Sequence, residues 1–427
     1  MKLNYKRTIL IGLAFFSICS FWQLYDSVIP MILSKTFGLK ETTTGAIMAL
    51  DNVLALFLLP LFGAFSDRTN TRIGKRTPYI IVGTIISIIF MLLIPIADNS
   101  ANFVLFFISL GIVLLAMGTY RSPAVALMPD VTPKPLRSKA NAIINLMGTL
   151  GAVYSLVMIS KLVPKVGKPD YSNLFITVAA LMIVSIVIMV ITIRENALVK
   201  ANEEVNARIS QESIATDNSM IHQAMPPEVK RSLVLILSSV FLWFTAYNAV
   251  TTAFSRYAVN VWGFEGGSYA NALLVATIAA TLSYVPIGFI SSHIGRKKTI
   301  LIGIVIITIS YFCAFLFDTY SPIIYIIFAF TGIGWASINV NSYPMVVEMS
   351  RGCDVGKYTG LYYTFSMAAQ ILTPIISGAL LENVSYRTLF PYAVIFSLLS
   401  LSTMLFVKHG DAKPPKKNTL ENFDIED

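Results

Sequence analysis

The chain has 427 residues, of which 55% are hydrophobic and only 13% are charged, and its mean hydropathy is +0.70. A soluble domain usually carries about 25% charged residues, so this composition excludes an ordinary soluble protein and indicates an integral membrane protein. The net charge of +9 is also typical of nucleic-acid binding. However, the basic residues group on one side of the predicted membrane, and we expect no nucleic-acid partner.

The first predicted element is an apolar run from Ile9 to Leu33, preceded by Lys2, Lys6 and Arg7. This run is too long for the core of a signal peptide, and no small-x-small cleavage site follows it. We therefore predict that it is a transmembrane helix that is kept in the mature protein.

Eleven further segments have the length and apolar character of a membrane-spanning helix, which needs about 20 residues. The twelve predicted spans are 8–34, 43–66, 78–97, 102–128, 139–163, 172–193, 232–259, 268–291, 299–317, 322–347, 357–381 and 386–407. The predicted fold is thus an all-α polytopic membrane protein in which both termini lie on the same side.

The distribution of positive charge predicts which side that is. Of the 32 Lys and Arg residues, 24 fall in loops and tails on the side of the termini and six fall in the opposite loops. The remaining two, Arg121 and Arg256, lie within spans. Because cytoplasmic loops carry the excess of Lys and Arg, we expect cytoplasmic termini, in the plasma membrane. We expect Arg256, near the outer end of span seven, to extend to the membrane surface.

A basic hairpin follows span two and is repeated in weaker form after span eight. The first copy runs from Gly63 to Arg76, and the second runs from Gly288 to Lys298. Asp67 is expected to pair with Arg72 or Arg76, or with the N-terminus of a neighbouring helix, in a contact that closes the cytoplasmic side. Ser292 replaces this carboxylate in the second copy, so the second contact should be weaker. The alternative is that the charge only sets topology. The predicted gating residues are Gly63, Asp67, Arg68, Arg72, Gly74, Arg76, Asp130 and Arg137.

Three ionisable residues lie deep within predicted spans: Asp26 in span one, Asp51 in span two and Arg121 in span four. A charged residue there costs about 2.5–3.5 kcal/mol and is a functional candidate by default. We expect Arg121 to pair with a carboxylate or a polar ligand. A carboxylate that gains and loses a proton as the protein changes conformation, in competition with Arg121 or a substrate, would couple proton and substrate movement. The alternative is a static ion pair that joins helices.

Polar and aromatic residues recur at helical spacing on spans one, five, seven, ten and eleven. Amides, hydroxyls and aromatic faces of this kind suit a cavity for a neutral polyol, whereas the alternative for any one of them is helix–helix packing. The predicted cavity residues are Trp22, Gln23, Tyr25, Asn145, Tyr247, Asn248, Thr251, Trp335, Asn339 and Gln370.

The chain reads as two halves joined by a polar linker. The predicted regions are an N-terminal six-helix bundle (1–193), a cytoplasmic linker (194–231), a C-terminal six-helix bundle (232–407) and a cytoplasmic tail (408–427). A second similarity between the halves supports an internal repeat, since Asp130 after span four aligns with Glu348 after span ten. Internal repeats of this kind are typical of secondary transporters, whose substrate site lies near the midplane between the halves.

Cysteines, histidines and enzyme motifs offer little further chemistry. Cys19 and Cys313 lie within spans and Cys353 lies in a loop, with no Cys/His cluster, so we expect neither a disulfide nor a metal site. The histidines lie in predicted loops or the tail: His222, His293 and His409. The sequence contains no P-loop, HExxH motif or nucleophile elbow, and we expect neither an enzyme nor a cofactor.

With these residues described, the chain resembles the major facilitator superfamily, and within it the sucrose/proton symporters and the glycoside–pentoside–hexuronide cation symporters. The resemblance rests on the hairpin from Phe65 to Tyr79 and on the segment from Tyr120 to Asp130. It implies that Arg121 acts in sugar or proton coupling. Sodium-coupled members of this broader group carry paired carboxylates just before the span-two proline, whereas Leu59 precedes Pro60 here, which favours protons.

The sequence therefore predicts a monomeric transporter that imports a disaccharide, oligosaccharide or glycoside together with protons by alternating access. Two alternatives stay open. One is an exporter of drugs or metabolites with the same fold, and the other is a membrane sensor that binds but does not transport.

Overall fold

In the computed structural model, the described residues are 3–133, 136–165, 167, 169–213, 226–349 and 355–411. Cys353, His222 and the tail beyond Asp411 lie outside this part of the chain. The α-helices of the described residues are α1 (Tyr5–Lys35), α2 (Glu41–Arg68), α3 (Thr77–Asn99), α4 (Phe103–Val131), α5 (Arg137–Leu162), α6 (Ser172–Thr192), α7 (Glu195–Ser213), α8 (Pro227–Asn260), α9 (Ala270–Ile294), α10 (Arg296–Phe315), α11 (Ile323–Glu348), α12 (Val355–Asn383) and α13 (Leu389–Leu405).

Twelve of these helices are long and apolar enough to cross a membrane, which confirms the predicted all-α fold with twelve spans. The predicted last span, 386–407, is divided in the structure, since a 3-10 turn (Tyr386–Thr388) precedes α13. Helices suit the hydrocarbon interior because they satisfy every backbone hydrogen bond within one segment. Large side chains on their outer faces, such as Phe57 (70% exposed), Ile191 (75%) and Leu282 (71%), are those we expect to face lipid.

Helix α7 lies within the predicted linker, 194–231, for which the sequence allows a partly helical structure. It is the most polar of the long helices of the described chain, since 12 of its 19 residues are Glu, Asn, Gln, Ser, Lys or Arg. Only two residues separate it from the end of α6, so its first turn lies close to the end of a membrane span. This position allows its side chains to contact the loops on the side of the termini.

By contact, the chain divides into two compact units. The first unit comprises Met1–Leu24 and Val53–Ser219, and the second comprises Tyr25–Asn52 and Met220–Asp427. The second half of α1 and the first turns of α2 thus group with the helices of the C-terminal half. The predicted boundaries at residues 193 and 232 stay a prediction.

Close approach of helix backbones holds each unit together, because lipid supplies little hydrophobic driving force between helices. In the second unit, a Cβ atom at Gly332 of α11 would lie 2.1 Å from the Ala276 carbonyl oxygen of α9. In the first unit, the Tyr120 hydroxyl of α4 donates to the Ala14 carbonyl of α1 over 3.0 Å. These contacts fix the helices that carry the candidate functional residues.

Candidate functional site

Arg76 is the centre of the first basic hairpin. Its guanidinium is buried and pairs with Asp67 and, at 2.9 Å from Nε, with Asp130. It also donates to the Ser66 hydroxyl and, over 3.3 Å, to the Gly63 carbonyl oxygen. Arg76, rather than Arg72, is the partner of Asp67 in the structure. The side chain therefore ties the end of α2, the start of α3 and the end of α4 together.

A carboxylate that the sequence analysis missed holds the same hairpin from the linker. Glu195, in the first turn of α7, is 1% exposed. It accepts backbone hydrogen bonds from Lys75 (2.8 Å), Arg76 (2.9 Å) and Thr77 (2.9 Å), and a fourth from the Thr77 hydroxyl (2.7 Å). These donors are the otherwise unsatisfied N–H groups at the start of α3, where a negative charge also complements the helix dipole. Gly74 has φ +127°, and a Cβ atom there would lie 2.0 Å from the Glu195 carboxylate.

Further polar contacts seat α7 on the hairpin. Asn196 Nδ2 donates to the carbonyl oxygens of Thr71 (2.8 Å) and Arg72 (3.1 Å), and Asn202 Nδ2 donates to that of Asp130 (2.8 Å). The linker therefore begins as a helix fixed to the first unit.

Two further predicted gating residues, Arg137 and Arg68, lie at the ends of α4 and α2. Arg137 donates to the carbonyl oxygens of Pro129 (2.9 Å) and Thr132 (3.3 Å) and so caps the end of α4, as basic side chains often do at a helix C-terminus. The Arg68 side chain is exposed at the end of α2.

The second unit repeats this arrangement with fewer contacts. Arg296 pairs with Glu348, as Arg76 pairs with Asp130, which matches the aligned positions in the two halves. Asp411, six residues after the end of α13, accepts the backbone N–H of Lys297 over 2.8 Å. Ser292 donates to Phe289 within its own helix. A comparison of the segments that follow spans six and twelve would have identified both Glu195 and Asp411, since each supplies a carboxylate to the start of the third helix of its half.

Arg121 faces an aromatic ring in the first unit. Its guanidinium carbon lies 5.9 Å from the centroid of the Trp22 ring, within the range of a cation–π contact. Phe21 packs edge-on against Trp22, with 5.2 Å between ring centroids. Gln23 belongs to the same segment of α1, and Asn145 lies on α5 of the same unit, where its carbonyl oxygen accepts from Thr149.

Asp26 and Asp51 both belong to the second unit. Their charges interact, and Asn52 Nδ2 donates to Asp51 over 2.8 Å. Among the described residues of this unit, no hydrogen-bond donor contacts the Asp26 carboxylate. Tyr25, predicted to line the cavity, is 1% exposed beside them.

An aromatic stack joins α8 to α11 in the second unit. The rings of Tyr247 and Trp335 lie parallel, with centroids 3.7 Å apart and an interplanar angle of 6°. Phe244 meets Trp335 edge-on at 5.3 Å and Tyr362 of α12 at 6.4 Å. Two residues predicted separately from helical spacing are thus in direct contact.

Three amide side chains lie on the helices that carry these aromatic rings. Asn248 follows Tyr247 in α8, and its Nδ2 atom is buried without a hydrogen bond among the described residues. Asn339 lies one turn from Trp335 and is 7% exposed. Neither Asn339 nor Gln370 of α12 makes a side-chain hydrogen bond within the described part of this unit. The Thr251 hydroxyl donates to the Asn248 carbonyl oxygen over 3.3 Å, so this predicted cavity residue makes its hydrogen bond to the backbone of its own helix.

The prediction that Arg256 extends to the membrane surface is wrong. Its side chain is buried, and Nε lies 2.6 Å from Oε2 of Glu41. The position of Arg256 near the end of a span suggested that its side chain is exposed. The sequence alone did not show that the first turn of α2 covers this part of α8.

Comparison with known proteins agrees with these features. The sequence profile of the family described as "MFS/sugar transport protein" matches residues 10–408. An isoprimeverose transporter of Lactiplantibacillus pentosus is 23% identical over 290 residues, which are 67% of this chain and 59% of the relative. A sucrose transport protein of Arabidopsis thaliana is 24% identical over 151 residues, 31% of this chain and 25% of the relative. The chain thus matches only part of the length of both relatives.

Solved structures show the same fold. A nucleoside transporter superposes with a TM-score of 0.69 over 94% of this chain and 100% of its own, at 14% identity. At this identity the likeness concerns the fold alone, and the choice of substrate depends on the side chains.

Proposed function

Since the chain belongs to the MFS/sugar transport protein family, we propose that it imports a disaccharide, oligosaccharide or glycoside by proton symport. In this proposal it works by alternating access as a monomer in the plasma membrane, with both termini in the cytoplasm. The relatives named for isoprimeverose and sucrose transport support a sugar substrate.

The observation that carries the substrate class is a set of amide side chains on the three helices that carry the aromatic cluster: Asn248 on α8, Asn339 on α11 and Gln370 on α12. Among the described residues of this unit, Asn248 Nδ2 and the side chains of Asn339 and Gln370 make no hydrogen bond. A buried amide without a hydrogen bond costs free energy, and a ligand with many hydroxyls repays that cost. Asn248, Asn339 and Gln370 each offer both donors and an acceptor. The half-buried Tyr247 ring, stacked on the buried Trp335, offers an apolar surface for the CH groups of a sugar ring. Such a combination of aromatic walls with a few placed polar groups is typical of small-molecule sites.

The carboxylates Asp26 and Asp51 are the proposed proton carriers. No hydrogen-bond donor contacts the Asp26 carboxylate among the described residues of its unit, so a proton bound there changes the charge of the pair directly. Arg121 with Trp22 supplies the cationic and aromatic surface of the first unit. One proton per sugar would concentrate the sugar about fiftyfold per 100 mV of membrane potential, from about 2.3 kcal/mol per charge.

Uptake of radiolabelled sugars into proteoliposomes tests this proposal. Sucrose, maltose, melibiose and other glycosides are supplied one at a time under a proton gradient, a sodium gradient or neither. We expect accumulation of at least one sugar with the proton gradient alone. Accumulation only with sodium would refute proton coupling. Binding without uptake would indicate a sensor, and efflux of apolar cations without any sugar uptake would indicate an exporter.

A pair of variants connects that flux to the proposed site. Asn339→Ala removes an unpartnered amide and should raise KM for the transported sugar about tenfold, since losing a hydrogen bond to a buried group costs about 1–3 kcal/mol. Asn383→Ala is the control, because the Asn383 amide donates to the Ala379 carbonyl oxygen within α12, over 2.8 Å. Equal KM values for the two variants would exclude Asn339 from the sugar site.

A further inference from the structure

A second buried ion pair lies at the opposite ends of the helices from the basic hairpins. Glu41 is the first residue of α2 and is 5% exposed, and Arg256 of α8 is 3% exposed. Arg256 Nε donates to Glu41 Oε2 over 2.6 Å, and Nη1 donates to the Thr252 carbonyl oxygen over 3.1 Å. The Tyr386 hydroxyl donates to Glu41 Oε1 over 2.6 Å. Both carboxylate oxygens are therefore satisfied by groups from the C-terminal half of the chain.

The ends of these helices determine where the cluster lies. Glu41 begins α2, and Arg256 is four residues, or about 6 Å, before the end of α8. With twelve spans, these ends lie on the side of the membrane opposite the termini, which is the outside in the proposed topology. A single arginine in this position can reach water by extending its side chain. Arg256 is instead turned into the protein, where it needs a partner.

A neighbouring set of contacts seats the same turn of α2 on α12. Glu382 Oε2 accepts from the Thr42 backbone N–H (3.1 Å) and hydroxyl (2.6 Å), and its Oε1 lies 3.4 Å from Lys40 Nζ. A Cβ atom at Gly45 would lie 1.9 Å from the Pro374 carbonyl oxygen, so the two backbones touch. Helices from the two halves of the chain are thus joined here through polar side chains and direct backbone contact.

We propose that Glu41, Arg256 and Tyr386 form an outer latch that keeps the pathway closed on the side opposite the termini. The proposal rests on the proposed function in one respect: alternating access requires helices from the two halves to separate on this side. A buried ion pair suits this role. In the closed state each buried charge compensates the other, and opening to water rehydrates both charges. Loss of one partner leaves the other charge buried and uncompensated, which disfavours the closed state. The latch residues therefore set the balance between open and closed states without touching sugar.

Cysteine labelling tests the latch without any sugar. The probe is Thr44→Cys, one turn after Glu41, because Thr44 is 0% exposed and its hydroxyl has no hydrogen bond among the described residues. The three native cysteines are replaced by serine. A membrane-impermeant maleimide is added to the side opposite the termini, in proteoliposomes of known orientation, and the labelling rate is measured.

Arg256→Gln should raise that rate about tenfold or more, and Tyr386→Phe, which removes one hydrogen bond, should raise it about threefold. Exchange of the charges in Glu41→Arg with Arg256→Glu should return the rate toward the parent value. The control is Arg387→Gln, because Arg387 pairs with Asp318 on the surface, where the side chains are 49% and 66% exposed. In this variant, Thr44→Cys should be labelled at the same rate as in the parent protein.

Flux measurements give a second readout when a transported sugar is known. A latch variant spends more time open on the side opposite the termini, so the apparent KM for sugar added there should fall while the maximal rate also falls. The labelling result does not depend on the identity of the sugar or ion, so a failed sugar assay leaves the latch testable. Unchanged labelling in both Arg256→Gln and Tyr386→Phe, with normal thermal unfolding of both proteins, would overturn the latch.

Discussion

Removal of the Glu195 carboxylate should destabilise the first unit more than any other single change in the linker helix. Glu195→Ala deletes the acceptor of four hydrogen bonds, three from backbone N–H groups at the start of α3. A hydrogen bond to a charged group contributes about 1.5–3 kcal/mol. Because water can reach the vacated site from the loop and replace some of these bonds, we expect a loss of about 2–4 kcal/mol.

Thermal unfolding of the purified protein in detergent measures this loss. At about 2–4 °C per kcal/mol for a unit of roughly 200 residues, Tm should fall by at least about 4 °C. Glu195→Gln keeps one acceptor oxygen and should lie between the parent and Glu195→Ala. The control is Glu203→Ala, since Glu203 is exposed on the same helix. If Glu195→Ala and Glu203→Ala have the same Tm, the contact of α7 with the hairpin does not stabilise the unit.

Three further predictions concern the repeat, the coupling and the sugar. Asp411→Ala should lower Tm by less than half as much as Glu195→Ala, because Asp411 accepts one backbone hydrogen bond rather than three; an equal or larger fall in the same unfolding assay would contradict this. Asp51→Asn should abolish accumulation of sugar against a gradient but keep downhill sugar exchange, and intact accumulation would make Asp51 structural. Trp335→Ala should raise KM about three- to tenfold, from the loss of about 0.5–1.5 kcal/mol of ring contact, whereas an unchanged KM in sugar-uptake kinetics would exclude the stack from the site.

The sequence was sufficient to predict the membrane-spanning helices. Apolar runs of about 20 residues need no knowledge of the tertiary contacts, because the lipid environment itself imposes the helix and its length. The basic hairpin was equally readable, since its charges lie within one short segment and Arg76 finds Asp67 nine residues away. The aromatic pair Tyr247 and Trp335 was found residue by residue from helical spacing, although their stacking was not.

Contacts between distant segments could not be predicted in this way. Glu195 meets the hairpin from 118 to 120 residues away in sequence, and Arg256 meets Glu41 from 215 residues away. Helical periodicity gives the face on which a residue lies but not the helix that faces it. The internal repeat could have predicted some of these contacts, because Glu195 and Asp411 follow corresponding helices of the two halves. Glu41 and Arg256 have no corresponding pair in the repeat.

The most direct test of proton-coupled sugar import is the movement of protons caused by the sugar itself. Proteoliposomes containing a pH-sensitive dye, with the membrane potential clamped and no sodium present, receive one sugar at a time from outside. We expect acidification of the interior on addition of a transported sugar, and loss of that signal in Asp26→Asn while sugar exchange persists. Sugar uptake without any proton influx in the parent protein would contradict the account.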